Sequence, residues 1–468
     1  MTEEVLQSGT REARSHKATT LPLTEQLVGQ LLDEGVGTRI GTRTGSAIGT
    51  DFEFDVAIVG LGYVGLPTSL AFSAAGARVL GVDVSESRLE VIRSQRADLV
   101  ESDRDRLLYA LADPGFVLTS DVSDLKRAAA VIVCVPTPVD DHLVPDLKIL
   151  DGACKSVVEH AVAGQTLLLT STTYVGSTRD LLAQPLVDRG LIAGVNINVA
   201  FSPERINPGM DVAHEEVPRV VGGITPACAD AAVKLIRTYT EKVHLVGSAD
   251  AAEMTKLVEN TFRAVNIALA NEFADVAQSL ELDVMEVINA ASTKPYGYMA
   301  FTPGPGVGGH CIPCDPHYLL WQMKKARRST PVIEQAMNAI AARPGRVVER
   351  VRRILSDRDL GLHGARILVV GVAYKPDVED LRESPALEIL EGLAEGGAVL
   401  AYHDKLFPTL RLPGGTELFH EIDPLAFAPD LVVLHTAHTG VTLNWVPQSM
   451  PVLDATFRQP HAKNIFHL

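Results

Sequence analysis

One pattern occurs twice in this chain and limits what it can fold into. It consists of an apolar run rich in β-branched residues, a turn, a helix-compatible stretch and a second apolar run. The copies are FDVAIVGLGYVGLPTSLAFSAAGARVLGVDV at 54–84 and ARILVVGVAYKPDVEDLRESPALEILEGLAEGGAVLAYHD at 365–404. A helix between two strands supplies the crossover that parallel pairing requires. The chain is therefore predicted to contain two α/β units, each built on a parallel sheet.

Further apolar runs extend both units, and a helical segment lies between them. In the first unit, over about 51–245, more strands are predicted at 129–138, 166–173, 196–204 and 219–223. DLVVLHTA and PVLDAT extend the second sheet. From Ala249 to Lys294 there is no glycine or proline, and apolar residues recur at helical spacing. We expect a long helix that joins two doubly wound α/β domains.

The charge balance and the cysteines restrict partners and compartment. The 468 residues include 42 basic and 58 acidic ones, and this formal net charge of −16 argues against nucleic acid or an anionic membrane as the main partner. An anionic substrate must then meet a local cluster of positive charge. The five cysteines are odd in number and mostly far apart, which does not suggest a disulfide framework and favours a reducing compartment.

The first 50 residues differ in composition from the rest. They contain no apolar segment of the kind found in a secretion signal or a membrane span. LTEQLVGQLLDEG at 23–35 is compatible with one amphipathic helix, and GTRIGTRTGSAIGT after it is typical of a flexible linker. We expect 1–50 to be a flexible N-terminal extension without chemistry, and the protein to be cytoplasmic.

The motif GLGYVG follows the first strand and opens a helix. Gly60 allows the tight turn, Gly62 lets backbone amides approach a pyrophosphate, and Gly65 lets helix and strand pack closely. Asp83, at the end of the next strand, accepts ribose hydroxyls but repels a 2′-phosphate, so the pattern favours NAD over NADP. Arg88 is either an ordinary charge on a helix surface or an adenosine contact.

The run PGPGVGGHCIPCDPHYL at 303–319 places Cys311 and Cys314 close together. This spacing occurs in zinc sites, but the chain has no second pair of the same kind. A redox disulfide at the start of a helix is a second interpretation. A nucleophile explains the glycine-rich loop best, because a thiolate at Cys311 can add to an aldehyde while Asp315 handles protons.

The same run resembles the UDP-glucose/GDP-mannose dehydrogenase family, together with CVPTP, STTYVGST, FSPERINPG and AEMTKLVENTFRAVNIALANE. The similarity covers about 51–460. It implies an α/β fold with two Rossmann-like doubly wound domains joined by a long central helix and a helical dimerisation region. The expected domains are an NAD-binding domain at 51–245, a central domain with the cysteine loop at 246–345 and a UDP-sugar-binding domain at 346–468.

The resemblance also implies the chemistry, in which NAD is used twice to oxidise C6 of a nucleotide sugar to a carboxylate. Cys311 matches the nucleophile that traps an aldehyde as a thiohemiacetal and then carries a thioester. Lys256 and Asn260, on one face of the predicted helix, match a pair that stabilises the oxyanion. The other catalytic matches are Asp315 and Thr137, which hold a catalytic water, and Glu204, the acid/base of thioester hydrolysis.

Binding residues are implied in the same way, and no metal is among the ligands. The implied cofactor contacts are Gly60, Gly62, Tyr63, Val64, Gly65, Asp83, Arg88, Thr137, Thr172 and Arg382. The implied substrate contacts are Glu204, Arg205, Lys256, Asn260, Arg263, Gly308, His310 and Lys375. Lys375 matches a lysine at the substrate diphosphate, and Arg382 matches an arginine at the cofactor pyrophosphate, often across a dimer interface. We expect a homodimer or a higher homo-oligomer.

Two motifs bear on which sugar is oxidised. The branch that acts on UDP-glucose usually reads PEFLxEG and GGSCFPKD, whereas this chain has PERINPG and GGHCIPCD, with Pro208 and Cys314 at the differing positions. Both motifs resemble the branch that acts on UDP-N-acetylhexosamines, and UDP-N-acetylglucosamine is the expected substrate. UDP-glucose, UDP-N-acetylmannosamine and UDP-N-acetylgalactosamine are the alternatives. A reversible disulfide between Cys311 and Cys314 is a further hypothesis.

Two other classes of protein remain as rivals. A simple alcohol or hydroxy-acid dehydrogenase would need one hydride transfer and no essential thiol. A catalytically silent nucleotide-sugar-binding protein would not need the complete catalytic set that the motifs carry. The yield of NADH per substrate distinguishes all three.

Overall fold

The structure is a computed structural model that describes residues 52–205, 216–309 and 311–468. The predicted N-terminal extension (1–50) lies outside these residues, and so do Pro208 and His310.

The first domain is built on an eight-stranded sheet with the order β3-β2-β1-β4-β5-β6-β7-β8. Its strands are β1 (Val56–Val59), β2 (Val79–Val82), β3 (Phe116–Thr119), β4 (Ala130–Val133), β5 (Thr166–Leu169), β6 (Asn198–Phe201), β7 (Arg219–Gly223) and β8 (Val243–Leu245). Strands such as VAIV and AVIV are buried at every position because helices cover both faces of the sheet. The Rossmann-like α/β fold predicted for this domain is confirmed.

One pair of strands departs from the predicted parallel arrangement. β6 and β7 are antiparallel, with Ala200 opposite Gly223 and Phe201 opposite Gly222, while every other neighbouring pair of described strands in this sheet is parallel. A chain that reverses direction starts its next strand at the edge where the previous strand ended. The amino end of β7 therefore lies beside the carboxyl end of β6.

Helices pack on both faces of this sheet. They are α1 (Gly65–Ala74), α2 (Glu86–Arg93), α3 (Glu101–Ala112), α4 (Lys148–His160), α5 (Gln184–Val187) and α6 (Pro226–Ile236), with a 3₁₀ segment at Val122–Arg127 and a π-helical segment at Arg179–Ala183. The starts of α2 and α6 are stabilised by side-chain caps, in which Ser85 and Thr225 accept hydrogen bonds from backbone amides of the first turn.

The central helix, α7 (Ala249–Ser279), is shorter than the predicted helical segment. A turn at 280–283 separates α7 from α8 (Val284–Ser292), so the stretch up to Lys294 forms two helices instead of one. Glu281 has a left-handed backbone (φ 57°), and Asp283 accepts hydrogen bonds from the first amides of α8. The break needs no glycine or proline, because an aspartate that caps a new helix competes with continuation of the old one.

The two halves of α7 belong to different hydrophobic cores. Ala249 and Ala252 lie in a core of the first domain, whereas Ala274 and Ala277 lie in the core of the second. The helix is therefore held at both ends, and near its middle Ala264 and Ala268 pack in a further apolar cluster with Met337 and Ile340.

Three helices lead into the second domain, namely α9 (Asp315–Lys325), α10 (Pro331–Ala341) and α11 (Arg343–Ser356). Its parallel sheet has the order β10-β9-β13-β14-β15. These strands are β9 (Arg366–Val370), β10 (Val399–His403), β13 (Leu431–Leu434), β14 (Val452–Asp454) and β15 (Ile465–His467). α12 (Pro385–Glu395) crosses from β9 to β10, and a small hairpin is formed by β11 (Thr409–Arg411) and β12 (Glu417–Phe419).

Candidate active site

The glycine turn between β1 and α1 has the shape that a bound pyrophosphate needs. Gly60 has φ +88°, and a Cβ there would lie 2.8 Å from the carbonyl oxygen of Cys134. A Cβ on Gly65 would lie 1.8 Å from the carbonyl oxygen of Gly60, so helix and turn meet too closely for any side chain. At Gly62 no atom lies within 4 Å of that position, which leaves the backbone open to a ligand. The turn fits a dinucleotide.

Asp83 and Arg88 both hold the backbone of this turn. The Asp83 carboxylate accepts hydrogen bonds from the amides of Leu61 and Ser85, each at 2.9 Å. Arg88 Nε donates to the carbonyl oxygen of Leu61 at 2.8 Å. Arg88 therefore contacts the dinucleotide turn, and its role as an adenosine contact stays a prediction. The position of Asp83 at the end of β2 is the one from which a carboxylate reaches the ribose of NAD.

Cys311 lies in the turn that opens α9, where its carbonyl oxygen accepts a hydrogen bond from the amide of Asp315 at 2.8 Å. Burial raises the pKa of Cys311 to about 11, and Asp315 adds to the shift. Lys256, Arg263 and Arg382 lie close enough to oppose it. The thiol is therefore protonated at neutral pH and must lose its proton when it attacks a carbonyl.

Asp315 is buried at the start of α9 and contacts α7. Asn260 donates a short hydrogen bond from its amide to the Asp315 carboxylate. Burial raises the pKa of Asp315 to about 6, against the lowering effects of Lys256 and of the Asn260 hydrogen bond. Lys256 and Asn260 are themselves buried, one turn apart on α7. The structure thus brings Cys311, Asp315, Lys256 and Asn260 together, with Asp315 ionised at neutral pH.

Thr137 reaches this cluster through a residue that the sequence analysis did not single out. Tyr318, fully buried on α9, donates a hydrogen bond from its hydroxyl to the carbonyl oxygen of Thr137 at 3.2 Å. The half-buried Thr137 follows β4 and is thereby tied to the helix that begins at Asp315. The sequence did carry a signal for Tyr318, because a tyrosine three residues after Asp315 lies on the same face of the helix.

The glycines before Cys311 are explained by contact with the second domain. A Cβ on Gly308 would lie 2.5 Å from Cβ of Tyr374 and 2.6 Å from the carbonyl oxygen of Glu383. Gly309 has φ +78°, and its amide donates to the carbonyl oxygen of Arg382 at 3.0 Å. The loop that carries Cys311 therefore packs directly on the segment that follows β9.

Basic side chains from both domains converge near Cys311. Lys375 is half-buried, and its pKa is lowered by burial and by the neighbouring charge of Arg263. Arg382 pairs with Asp380 at 2.6 Å and lies over the ring of Tyr63, 5.7 Å from its centroid. An arginine of the second domain thus reaches the dinucleotide turn within one chain, without a dimer interface. These groups stay the predicted source of the positive charge that an anionic substrate requires.

Glu204, after β6, is buried in an ion pair that the sequence did not reveal. Arg219, the first residue of β7, places Nη1 at 2.8 Å from both carboxylate oxygens. The backbone amide of Arg205 donates to Glu204 at 2.7 Å, and the Arg205 side chain pairs with Glu259 of α7 at 2.6 Å. An arginine at the start of an otherwise apolar strand, RVVGG, was the available signal for Arg219.

Glu253, a carboxylate that the sequence motifs did not single out, ties α7 to the segment that follows β5. It accepts hydrogen bonds from the amide of Gly176 at 2.5 Å, the hydroxyl of Ser177 at 2.8 Å, and the amide and hydroxyl of Thr178 at 2.8 and 2.6 Å. Burial raises the pKa of Glu253, although these hydrogen bonds act in the opposite direction. The same segment carries the half-buried Thr172, so Glu253 fixes its position relative to Lys256.

The second cysteine of the loop is a separate, buried thiol. Cys314 immediately precedes α9, and its amide donates to the carbonyl oxygen of Cys311 at 3.3 Å. All five cysteines are free thiols.

Within residues 52–205, 216–309 and 311–468, no cluster of three or more His, Cys, Asp or Glu side chains is arranged to hold a metal ion. The described helices also include none that is both long and apolar enough to span a membrane.

Family profiles match most of the chain. Those of the UDP-glucose/GDP-mannose dehydrogenase family match at 54–240 for the NAD binding domain, 250–339 for the central domain and 368–453 for the UDP binding domain. The chain belongs to this family. It is therefore an NAD-dependent nucleotide-sugar dehydrogenase, and the resemblance, the enzyme class and the cofactor predicted from the motifs are confirmed.

Individual relatives of this dehydrogenase extend over most of its length. The UDP-N-acetyl-D-mannosamine dehydrogenase of Pyrococcus horikoshii is 36% identical over 403 residues, 83% of this chain and 91% of the relative. The NDP-N-acetyl-D-galactosaminuronic acid dehydrogenase of Ralstonia solanacearum is 34% identical over 405 residues, 84% and 92% of the two chains. A solved structure of the Pyrococcus horikoshii mannosamine enzyme has a TM-score of 0.80 at 32% identity, covering 88% of this chain and 98% of that one.

Proposed function

We propose that this enzyme oxidises the C6 alcohol of a UDP-N-acetylhexosamine to the carboxylate, with UDP-N-acetylmannosamine as the first candidate substrate. The observation that carries the proposal is the buried contact of Asp315 with Asn260 and Lys256 beside the thiol of Cys311. A dehydrogenase that stops at the aldehyde has no use for this thiol.

The choice of sugar is supported by the relatives. Their names specify N-acetylmannosamine and N-acetylgalactosaminuronic acid, whereas the sequence motifs led us to expect UDP-N-acetylglucosamine. An N-acetylated sugar is common to the motifs and to the relatives. UDP-N-acetylmannosamine therefore takes precedence over UDP-N-acetylglucosamine, and UDP-glucose is the weakest alternative.

The cofactor is expected at the carboxyl edge of the first sheet. Gly60, Gly62 and Gly65 would receive the pyrophosphate, Asp83 the adenosine ribose, and Arg382 would approach the same turn from the second domain. NAD supplies the hydride acceptor for both oxidation steps.

The first oxidation needs a base and a stabilised oxygen. We assign the base to Asp315, acting on the C6 hydroxyl through a water that Thr137 would help to hold. Lys256 and Asn260 would stabilise negative charge on the C6 oxygen as it forms. Asp315 suits this task because its pKa of about 6 leaves it ionised, yet still basic, at neutral pH.

The aldehyde is then captured by Cys311. A C–S bond forms as the thiol proton passes to the carbonyl oxygen, giving a thiohemiacetal. Loss of a second hydride and of the hydroxyl proton gives a thioester. Water then attacks the thioester carbon, the C–S bond breaks, and the thiol is restored as the uronate leaves. We assign Glu204 to this last step as the residue that moves the proton of water.

Substrate phosphates would meet Arg263 of α7, which lies near Cys311, and Lys375 of the second domain, which lies near Arg263. Arg205 is the remaining basic residue of the predicted substrate set, but its charge is already paired with Glu259. We therefore assign Arg205 to the support of Glu204, because its amide holds that carboxylate.

A second copy of the chain would cover one face of α7. Large apolar side chains recur along this helix and at the residue after its end, and they are 39–63% exposed, at Met254, Val258, Phe262, Leu269, Phe273, Val276 and Leu280. An apolar stripe of this length on one helix marks an interaction surface. We propose that it forms the interface of a homodimer.

Free cysteines and the use of NAD and a UDP-sugar agree with a reducing, cytoplasmic location.

The deciding experiment measures NADH formed per sugar consumed for UDP-N-acetylmannosamine, UDP-N-acetylglucosamine, UDP-N-acetylgalactosamine and UDP-glucose under reducing conditions. Two NADH per uronate with an N-acetylated sugar would support the thiol mechanism and the branch. One NADH per sugar, with aldehyde as product, would exclude the second oxidation. Turnover of UDP-glucose alone would exclude the substrate assignment but not the chemistry.

A further inference from the structure

Two opposite charges face each other inside the first domain, at the edge where β6 ends and β7 begins. Glu204 is 8% exposed and Arg219 is 2% exposed. One guanidinium nitrogen of Arg219 bridges both carboxylate oxygens, and the amide of Arg205 donates to one of them. Both charges are too deeply buried for water to solvate one of them if its partner is removed.

The antiparallel turn of the sheet creates this pair. Ala200 faces Gly223 and Phe201 faces Gly222, and continuing the same register past the end of β6 brings Glu204 opposite Arg219. In a parallel arrangement the start of β7 would lie at the other edge of the sheet. The one reversed strand therefore delivers an arginine to the carboxyl edge, where the catalytic residues gather.

The arginine is costly for the fold. Arg219 Nε is buried without a hydrogen-bond partner among the described residues, and the rest of its strand is apolar or glycine. Replacing a buried ion pair by apolar residues is often neutral or stabilising, so stability alone does not explain its presence. A charge kept at such a cost beside a predicted catalytic acid points to a role in the reaction.

Three other described groups lie around the pair, and none of them is a second unpaired positive charge. Burial is the largest influence on the pKa of Arg219 and disfavours its charge, but Glu204 and the other neighbours together act more strongly in the opposite direction, so this pKa is raised. Cys134, at the end of β4, is a neutral thiol because burial raises its pKa to about 12. Tyr239, which follows α6, also raises the pKa of Arg219. The side chain of Arg205 is neutralised by Glu259.

We propose that Arg219 is a positioning residue for hydrolysis of the Cys311 thioester, because it holds Glu204 as an oriented carboxylate. This inference rests on the proposed function. Glu204 would then act as a base and not as an acid: it accepts a proton from the attacking water. The new C–O bond forms as the C–S bond breaks, and that proton passes to the leaving sulfur of Cys311.

The test compares three variants with the wild type: Arg219→Met, Arg219→Lys and Glu204→Gln. NADH formation is followed in the first turnover, and acid-quenched enzyme is analysed by mass spectrometry for a sugar bound to Cys311. Arg237→Met, at an exposed arginine of the same domain, is the matched control because its ion pair with Glu241 is long, at 3.9 Å.

We expect Arg219→Met to keep the first-turnover burst of NADH, to accumulate the Cys311 adduct and to slow uronate release about tenfold or more. Without the arginine charge the Glu204 pKa rises, so the acid limb of uronate release should move up by about one pH unit or more. Arg219→Lys should recover part of the rate, and Arg237→Met should match the wild type.

A folded Arg219→Met enzyme with the wild-type release rate and pH profile would overturn the inference. If that variant fails to fold, the double variant Glu204→Gln, Arg219→Met removes both charges and keeps the test open. It should release uronate no more slowly than Glu204→Gln alone, and a further loss would overturn the inference. Normal release in Glu204→Gln would instead refute the role that the proposed function gives to Glu204.

Discussion

At the scale of single residues, Cys311 combines a nucleophile's position with a pKa that burial raises to about 11. A protonated thiol is protected from oxidation and from wrong electrophiles. It becomes reactive only when an aldehyde is present to receive its proton on oxygen. In the proposed mechanism, the basic groups around Cys311 would therefore stabilise the forming oxyanion more than a resting thiolate.

Replacing Cys311 with Ser should leave NAD and substrate binding within about twofold and abolish uronate formation. A serine hydroxyl attacks an aldehyde less readily than a thiol does, and it is also the poorer leaving group in the hydrolysis that follows. Calorimetric titration checks binding, and product analysis checks turnover. Cys228→Ser, at a buried cysteine of the first domain, is the control. Full uronate formation by the Cys311 variant would refute the thioester route.

Asp315 predicts the pH dependence of the first oxidation. Its pKa of about 6 means that the carboxylate is protonated, and the base lost, as pH falls through 6. The Asn260 hydrogen bond lowers this pKa, so Asn260→Ala should move the acid limb of kcat to higher pH as well as lower the maximum rate. Asn266→Ala, at a partly exposed residue on the same helix, should leave the limb in place. An unmoved limb in Asn260→Ala would exclude Asp315 as the group that titrates.

Asp83 should control affinity for NAD. Asp83→Ala removes both the ribose acceptor and the hydrogen bond that orders the amide of Leu61, so KM for NAD should rise about tenfold or more while KM for the sugar changes little. Steady-state kinetics with each substrate varied in turn separates the two effects. An unchanged KM for NAD would place Asp83 outside the cofactor site.

At the scale of elements, the loop before α9 is a contact surface as well as a connection. Gly308→Ala should cost about 1–3 kcal/mol of unfolding free energy, because its Cβ would lie 2.6 Å from the backbone oxygen of Glu383, which is not free to move aside. It should also lower kcat, since the displaced loop carries Cys311. Urea unfolding and steady-state rates measure both effects.

Gly304 offers the matched control for that substitution. A Cβ added there would meet no atom within 4 Å, and its backbone hydrogen bonds with Asn271 and Arg343 would survive in alanine. Gly304→Ala should therefore retain stability and rate. Equal losses in the two variants would mean that loop flexibility, and not contact with the second domain, explains the glycines.

At the scale of the whole molecule, α7 connects the two cores and carries the proposed dimer face. Phe273→Asp places a charge in the middle of the apolar stripe, so it should convert a dimer to a monomer in sedimentation velocity. Leu108→Asp, at an equally exposed apolar residue on α3, should not change the mass. A dimer that persists in Phe273→Asp would assign the stripe to another partner.

Short sequence patterns predicted the elements that position this site. GLGYVG and Asp83 lie within one strand-turn-helix-strand unit, and Lys256 and Asn260 lie within one helix, so spacing along the chain decides which side chains share a face. The turn at 280–283 and the reversal of β7 were not predicted. The turn depends on whether an aspartate caps a new helix or the old helix continues. The direction of β7 depends on the edge of the sheet at which the chain re-enters after β6.

The amino-acid sequence alone was enough to determine two α/β domains, a dinucleotide turn and the enzyme family, because each of these is encoded by residues close together in the chain. Folding in three dimensions decided which distant groups meet: Arg219 with Glu204, Gly308 with Tyr374, and Arg382 with Tyr63. It also set the pKa of Cys311 and of Asp315, because burial and neighbouring charge exist only once the chain has folded.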